Sequence, residues 1–286
     1  MELWINLTVN GLSTGMLIFL LASGLTLIFG LMHVLNFAHG GLFAWGAYAG
    51  VWIYSLTSSF TVALICAVIV GAMLGFITER LIIRPVYGDV VPQILITLGF
   101  MLVISEMLKV VWGPNQIPAT VPPALAGSWE FGDVLIIKYR LFIIIMGLLV
   151  FGIFYYILKR TKIGLIVRAG VINNEMVQAL GINIKRVFLL VFMTGAALAA
   201  LGGALMAPYS GVIYAEMGLD FGILAFIVVV IGGMGSFPGS LLAAALVGLA
   251  GSYMAYYVPD LSLAVNMIIM VLVLIFRPQG LFAVKG

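Results

Sequence analysis

The chain has 286 residues, 64% of them hydrophobic and only 8% charged, against roughly a quarter charged in an average soluble domain. Its 13 Lys and Arg and 10 Asp and Glu leave a net charge of +3, and mean hydropathy is +1.27. This composition excludes a soluble enzyme, a nucleic-acid binder and a disordered chain, and specifies a polytopic membrane protein. The single cysteine, Cys66, gives neither a disulfide framework nor a CxxC metal site.

A membrane-crossing helix needs about 20 apolar residues. No Asp, Glu, Lys or Arg lies between Glu2 and Glu79, which leaves room for three spans near 7–31, 40–56 and 60–79. Further spans are expected near 90–112, 141–158, 188–207, 221–236, 240–256 and 261–276, for a total of about 8–10. Glu2 stands where a signal peptide would carry basic residues, no A-x-A site follows, and the apolar stretch runs on, so a cleaved leader is not expected.

Lys159, Arg160, Lys162, Arg168, Lys185 and Arg186 crowd into one loop, 159–187, which the positive-inside rule makes cytoplasmic. Counting spans from it places Arg80, Arg84 and the tail with Arg277 and Lys285 on the same side. The N-terminus is then external. The Pro-rich segment 113–140 and the loop 208–220 are external too, with Lys138 and Arg140 running against the trend.

Two Gly-rich breaks interrupt apolar stretches, one in each half of the chain. The first runs from Gly30 through Asn36 and His39 to Gly41, and the second from Gly232 through Gly235, Ser236 and Pro238 to Gly239. Glycine and proline stop helices, and non-helical backbone at membrane depth survives only inside protein or beside water. Paired interruptions point to an inverted repeat and a transport pathway, which nominates Asn36, His39, Gly40, Gly235 and Ser236 as path residues. The alternative is that both breaks are ordinary surface loops.

No GxxxxGK[ST], HExxH or GxSxG occurs, and His33 and His39 stand six apart with no carboxylate nearby, so no catalytic, nucleotide or metal site is expected. Ion-coupling groups inside the spans are nearly absent; Glu106 and Lys109 read as an i,i+3 pair near the outer end of their span. A path without fixed charges suits a neutral or zwitterionic solute with an apolar body. Of four GxxxG pairs, Gly46/Gly50 and Gly71/Gly75 mark close helix packing, within one chain or across a dimer. In the basic loop, Asn174 is a good N-cap, Glu175 favours the helix N-terminus, and Gly181 supplies a stop. A two-turn helix presenting Met176, Ala179 and Leu180 is predicted there.

Asn36-Phe-Ala-His39-Gly40, Glu175-Met-Val-Gln-Ala-Leu-Gly181, Gly232-Gly-Met-Gly-Ser-Phe-Pro-Gly239 and Arg277-Pro-Gln-Gly-Leu-Phe282 occur in that order. Together they resemble, over nearly the whole chain, the permease subunit of branched-chain amino-acid ABC importers that carries "NFAHG". Permeases for urea, short amides and some aromatic acids look similar. The spacing from Glu175 to Gly181 echoes the "EAA…G" loop that touches the ATPases, with Met176-Val177 in place of two alanines.

The resemblance implies a single all-α permease domain, 1–286, in a bacterial or archaeal inner membrane. It implies a second homologous permease, two cytoplasmic ATPases and an external solute-binding protein as partners, with no nucleic acid. ATP would be consumed by those partners and no cofactor held on this chain. Arg168, Glu175, Ala179 and Gly181 would couple it to the ATPases. A stand-alone channel or secondary carrier is the alternative from a different class.

Overall fold

The computed structural model describes residues 2–131, 134–172, 174–262 and 264–282, at residues 131, 134, 171, 172, 174 and 175 by the backbone alone. Each expected span coincides with a helix. These are α1 (Glu2–Met32), α2 (His39–Thr57), α3 (Phe60–Ile77), α4 (Val90–Trp112), α5 (Lys138–Arg160), α8 (Ile184–Ser210), α9 (Met217–Gly232), α10 (Phe237–Tyr257) and α11 (Ala264–Phe276). Two further helices, α6 (Lys162–Ile172) and α7 (Asn174–Ala179), lie in the basic loop.

Among the described residues six helices are long and apolar enough to cross a membrane: α1, α3 with its extension to Val86, α4, α5, α8 and α10. The 16 residues of α9 and 13 of α11 reach about 24 and 20 Å, short of a hydrocarbon core of about 30 Å. Beyond Ile77 the α3 helix widens into a π-helical turn, Thr78–Ile83, in which the Arg84 N–H donates to the Glu79 carbonyl. Pro85 then ends it.

A strictly helical chain was expected, and the segments between helices depart from it. The strands β2 (Ser128–Phe131) and β3 (Val134–Ile137) form an antiparallel hairpin, with Trp129 opposite Ile136. The two-residue strands β1 (Ile117–Pro118) and β4 (Val212–Ile213) pair across the chain. The reason is local: Pro114, Pro118, Pro122 and Pro123 cannot continue a helix, and the β-branched and aromatic residues beside them suit short extended pairs.

The centre of the molecule is α1, apolar on every side and buried from Met16 to Leu25, with α5, α8, α9 and α10 around it. Small residues set the spacing. A Cβ at Gly15 would fall 2.7 Å from the Ala244 carbonyl oxygen, and one at Gly11 would fall 2.8 Å from the Leu249 Cα, so α1 and α10 touch backbone to backbone. The GxxxG pairs Gly46/Gly50 and Gly71/Gly75 pack against α8. Cβ atoms at Gly50 and Gly75 would fall 2.9 Å and 2.6 Å from the Cβ atoms of Ala204 and Ala196. Their close packing is therefore within the chain.

Candidate functional site

After Met32 the first break does not simply turn at the end of α1. The His39 Nε2 donates to the Leu21 carbonyl oxygen at 3.1 Å, eleven residues before the end of α1, or about 16 Å along its axis. Residues 33–38 thus run back along α1, and α2 begins at depth. His33 makes the reversal in the left-handed region at φ 51°. The Asn36 Oδ1 accepts from the Ala38 N–H at 3.1 Å and holds the entry to α2. Gly40 is required by space: a Cβ would press on the Gly218 carbonyl of α9 and approach the Gly222 Cα to 3.1 Å.

Asn36, His39 and Gly40 are buried. The Asn36 Nδ2 and the His39 Nδ1 have no hydrogen-bond partner. Buried polar groups are almost always satisfied, so two orphans within four residues distinguish this segment from packed core. Asn36 borders a crevice of about 10 Å³ between α1 and α9, shut by Phe29, Phe37, Phe226 and Met234. The Phe37 and Phe226 rings stack at 5.7 Å.

The second break is a tight turn. Gly233 and Gly235 both take positive φ, 97° and 87°, a region open to glycine. The Ser236 Oγ caps α10 by accepting from the Gly239 N–H at 3.2 Å, with Pro238 in the first turn. The two breaks meet where Gly235 lies against Gly30 of α1.

They do not share one cavity. Gly235 and Ser236 line a different space, of about 470 Å³, on the far side of α1 from Asn36 and bounded by α5, α6 and the start of α10. Leu25 and Phe29 of α1 face the Asn36 crevice, whereas Leu27 and Leu31 face this cavity. Arg168 lines it as well, so the cavity joins second-break residues to the basic loop. The Arg168 Nη1 donates to the Leu158 carbonyl oxygen at 2.8 Å.

In the loop, α7 ends at Ala179 and Gly181 follows at φ 82°. The Ile182 N–H donates to the Val177 carbonyl at 3.3 Å, closing a Schellman-type stop. Val177 is buried, while Met176, Ala179 and Leu180 are exposed, a small apolar patch at the surface. The side chains of Asn174 and Glu175 lie outside the described residues.

Three features escaped the sequence reading. Gln93 and Thr97, one turn apart on α4, are buried against the first break. The Thr97 Oγ1 accepts from the Phe37 N–H at 3.3 Å, and the Gln93 Oε1 has no partner. Four apart on a helix, two polar residues in an apolar run were the available signal. The second is the C-terminal motif, which clasps the second break: the N–H groups of Leu281 and Phe282 donate to the carbonyls of Ile231 and Gly232 at 2.8 and 3.2 Å. The third is a buried carboxylate, Glu79, accepting from the Tyr87 hydroxyl at 2.5 Å. Burial, then the Glu79 hydrogen bond, pushes the Tyr87 hydroxyl up from its ordinary pKa.

At the opposite end Lys109 pairs with Glu106, as expected, and also with Glu216 at the start of α9, both at 2.8 Å. The Lys109 hydrogen bond holds the Glu216 carboxyl below the usual range. No cluster of three His, Cys, Asp or Glu able to hold a metal occurs among the described residues.

Residues 7–274 match the family described as "Branched-chain amino acid transport system / permease component". The permease protein BraD of Pseudomonas aeruginosa, from a high-affinity branched-chain amino-acid transport system, is 31% identical over 96% of this chain and 94% of its own length. LivH of Salmonella typhimurium, from a system of the same description, is 29% identical over 95% and 93%. LivM of Escherichia coli is also 29% identical, over 96% of this chain and 69% of that protein. Among solved structures, PsaBC from Streptococcus pneumoniae in complex with Fab is similar at a TM-score of 0.51 with 11% identity. That match covers 94% of this chain and 91% of the other, a likeness of fold alone.

Proposed function

This chain belongs to the family of permease components of branched-chain amino-acid ABC transport systems, and from that premise we propose that it forms half of the membrane path of an ATP-powered importer for neutral aliphatic amino acids. The observation that carries the reading is the family match over residues 7–274, nearly the whole apolar chain. The family is not catalytic, and hydrolysis falls to separate subunits.

The other half of the path is a second homologous permease, a reading supported by similarity to both LivH and LivM. Two ATPases dock on the cytoplasmic loop 159–187, and a binding protein delivers solute from outside. All nine long or apolar helices, α1–α5 and α8–α11, lie within the membrane, the shorter ones completed by the inserted first break and by packing in the assembly.

Asn36, His39, Gly40, Gly235 and Ser236 border the path in this reading. Support comes from the depth at which α2 begins, the two orphaned polar atoms there, and the meeting of the breaks at Gly30 and Gly235. A zwitterion finds helix ends and amide groups on this route and no fixed counter-charge. An uncompensated charge at a helix centre costs about 2.5–3.5 kcal/mol on insertion scales, so net-charged solutes pass poorly.

Arg168, Glu175, Ala179 and Gly181 transmit ATPase closure, with α7 as a short rigid lever and α6 against the cavity beside the second break. Competition against radiolabelled leucine uptake by the assembled importer tests the solute class. Isoleucine and valine are expected to compete and lysine, glutamate and urea to fail; strong competition by urea would make this an amide permease instead.

A further inference from the structure

The cavity between α1, α5, α6 and α10, on the far side of α1 from Asn36, joins a largely apolar interior to a basic mouth. Its walls are mostly apolar, from Leu27 and Leu31 of α1, Leu158 of α5 and Val167 of α6 to Phe237 at the start of α10, with the hydroxyl residues Thr26 and Ser236 among them. Its mouth carries two exposed cations, Lys159 and Arg168, and among the described residues no acid lines it and neither cation is in an ion pair. Both heads are held in place. The Lys159 Nζ donates to the Tyr155 hydroxyl at 2.8 Å and lies 5.1 Å over its ring, and Arg168 is tied to the Leu158 carbonyl. The guanidinium keeps its remaining N–H groups for another acceptor.

Water filling this space would hydrate hydrocarbon over most of its walls, which is unfavourable. An acyl chain from the adjoining bilayer fills it without that cost. The surface beside the mouth is continuous with it in character: Ile163 and Leu165 of α6 and Tyr156 of α5 are exposed and apolar or aromatic. Basic groups between helices on the cytoplasmic side recognise anionic head groups, and each contributes about fivefold to retention near the surface.

We propose that this cavity binds an anionic phospholipid of the cytoplasmic leaflet, its phosphate on Lys159 and Arg168 and one acyl chain along Leu27, Leu31 and Phe237. The lipid sits between α6 of the coupling loop and the second Gly-rich break, so it bridges the element that the ATPases move and the element bordering the path.

The test is native mass spectrometry of the assembled importer, exchanged into mixed phosphatidylcholine and phosphatidylglycerol. One phosphatidylglycerol per copy of this chain is expected to survive detergent dilution. Retention should fall about thirtyfold in K159Q/R168Q, as two such basic groups require. The control K162Q/R160Q removes the same charge beside the cavity and should leave retention within about twofold. Equal loss in the control would reduce the site to diffuse attraction. Equal retention of phosphatidylcholine would remove the role of the two cations. Displacement of the lipid by glycerol phosphate as effectively as by whole phosphatidylglycerol would make it a free-anion site, and displacement by leucine would make it part of the solute path. Each of these overturns the proposal.

Discussion

Gly235 lies directly against Gly30: a Cβ on Gly30 would come within 3.0 Å of the Gly235 Cα. Through this contact the tight turn between α9 and α10 rests on the last turn of the central helix, where the first break opens. The two interruptions, more than 200 residues apart in the chain, are thereby one structural unit. Movement of the second turn is passed to α1 here through backbone, with no side chain at either glycine to absorb it.

Gly30→Leu is therefore expected to wedge the breaks apart. Overpacking of this kind costs about 1–3 kcal/mol, so thermal unfolding of the purified protein in detergent should shift down and uptake should fall. Gly99→Leu on α4 is the matched control, because nothing lies within 4 Å of a Cβ there. Its unfolding temperature should stay at the parent value.

Cysteine accessibility should differ between the breaks. In a Cys66→Ser background, Ser236→Cys lines the larger cavity and should react with small aqueous thiol reagents in delipidated protein, and slowly where phosphatidylglycerol fills the cavity. Asn36→Cys stands beside a crevice of about 10 Å³, no more than one water, and should resist until the importer is trapped with ATP. Labelling of Asn36→Cys at an equal rate in every state would show that this crevice is not a gate.

The C-terminal motif should matter for stability. Gly280 has φ 80°, and a Cβ there would lie 2.5 Å from the Gly233 Cα. Gly280→Val combines left-handed strain of about 1–2 kcal/mol with that clash. Limited proteolysis should then cut near Gly233, a site that the clasp shields in the parent chain.

In the coupling loop, Gly181 has open space around its Cβ position, so a substitution there costs backbone strain alone, about 1–2 kcal/mol. Gly181→Trp and Glu175→Lys should leave membrane insertion intact and weaken ATPase co-purification or separate hydrolysis from uptake. Normal values of all three would transfer docking to the segment around Arg80–Asp89.

Much of this architecture was legible in the sequence because the bilayer imposes one rule on every span. Gaps between charges therefore located α1 to α5 and α8 to α11 within a few residues. The glycine stops at Gly181 and Gly233–Gly235 were legible for a similar reason, since positive φ selects glycine. The depth of the first break was not: nothing local to Asn36 or His39 says that residues 33–38 run back along α1. That follows from packing against Leu21, Gly218 and Gly222, far away in the chain or on another helix. The α6 helix was missed because Lys162, Gly164 and Arg168 interrupt its apolar residues and made it read as a loop. The role of Arg277–Phe282 was hidden because backbone pairing with Ile231 and Gly232 leaves no side-chain signature.

Transport by defined components tests the central claim most directly. The chain should be reconstituted in proteoliposomes alone, and then with its partner permease, two ATPases and binding protein, and leucine uptake followed with and without ATP. Uptake is expected only in the full assembly with ATP, with the isolated chain at the level of empty vesicles. Leucine flux through the chain alone, independent of ATP, would contradict the assignment and make it a channel or carrier in its own right.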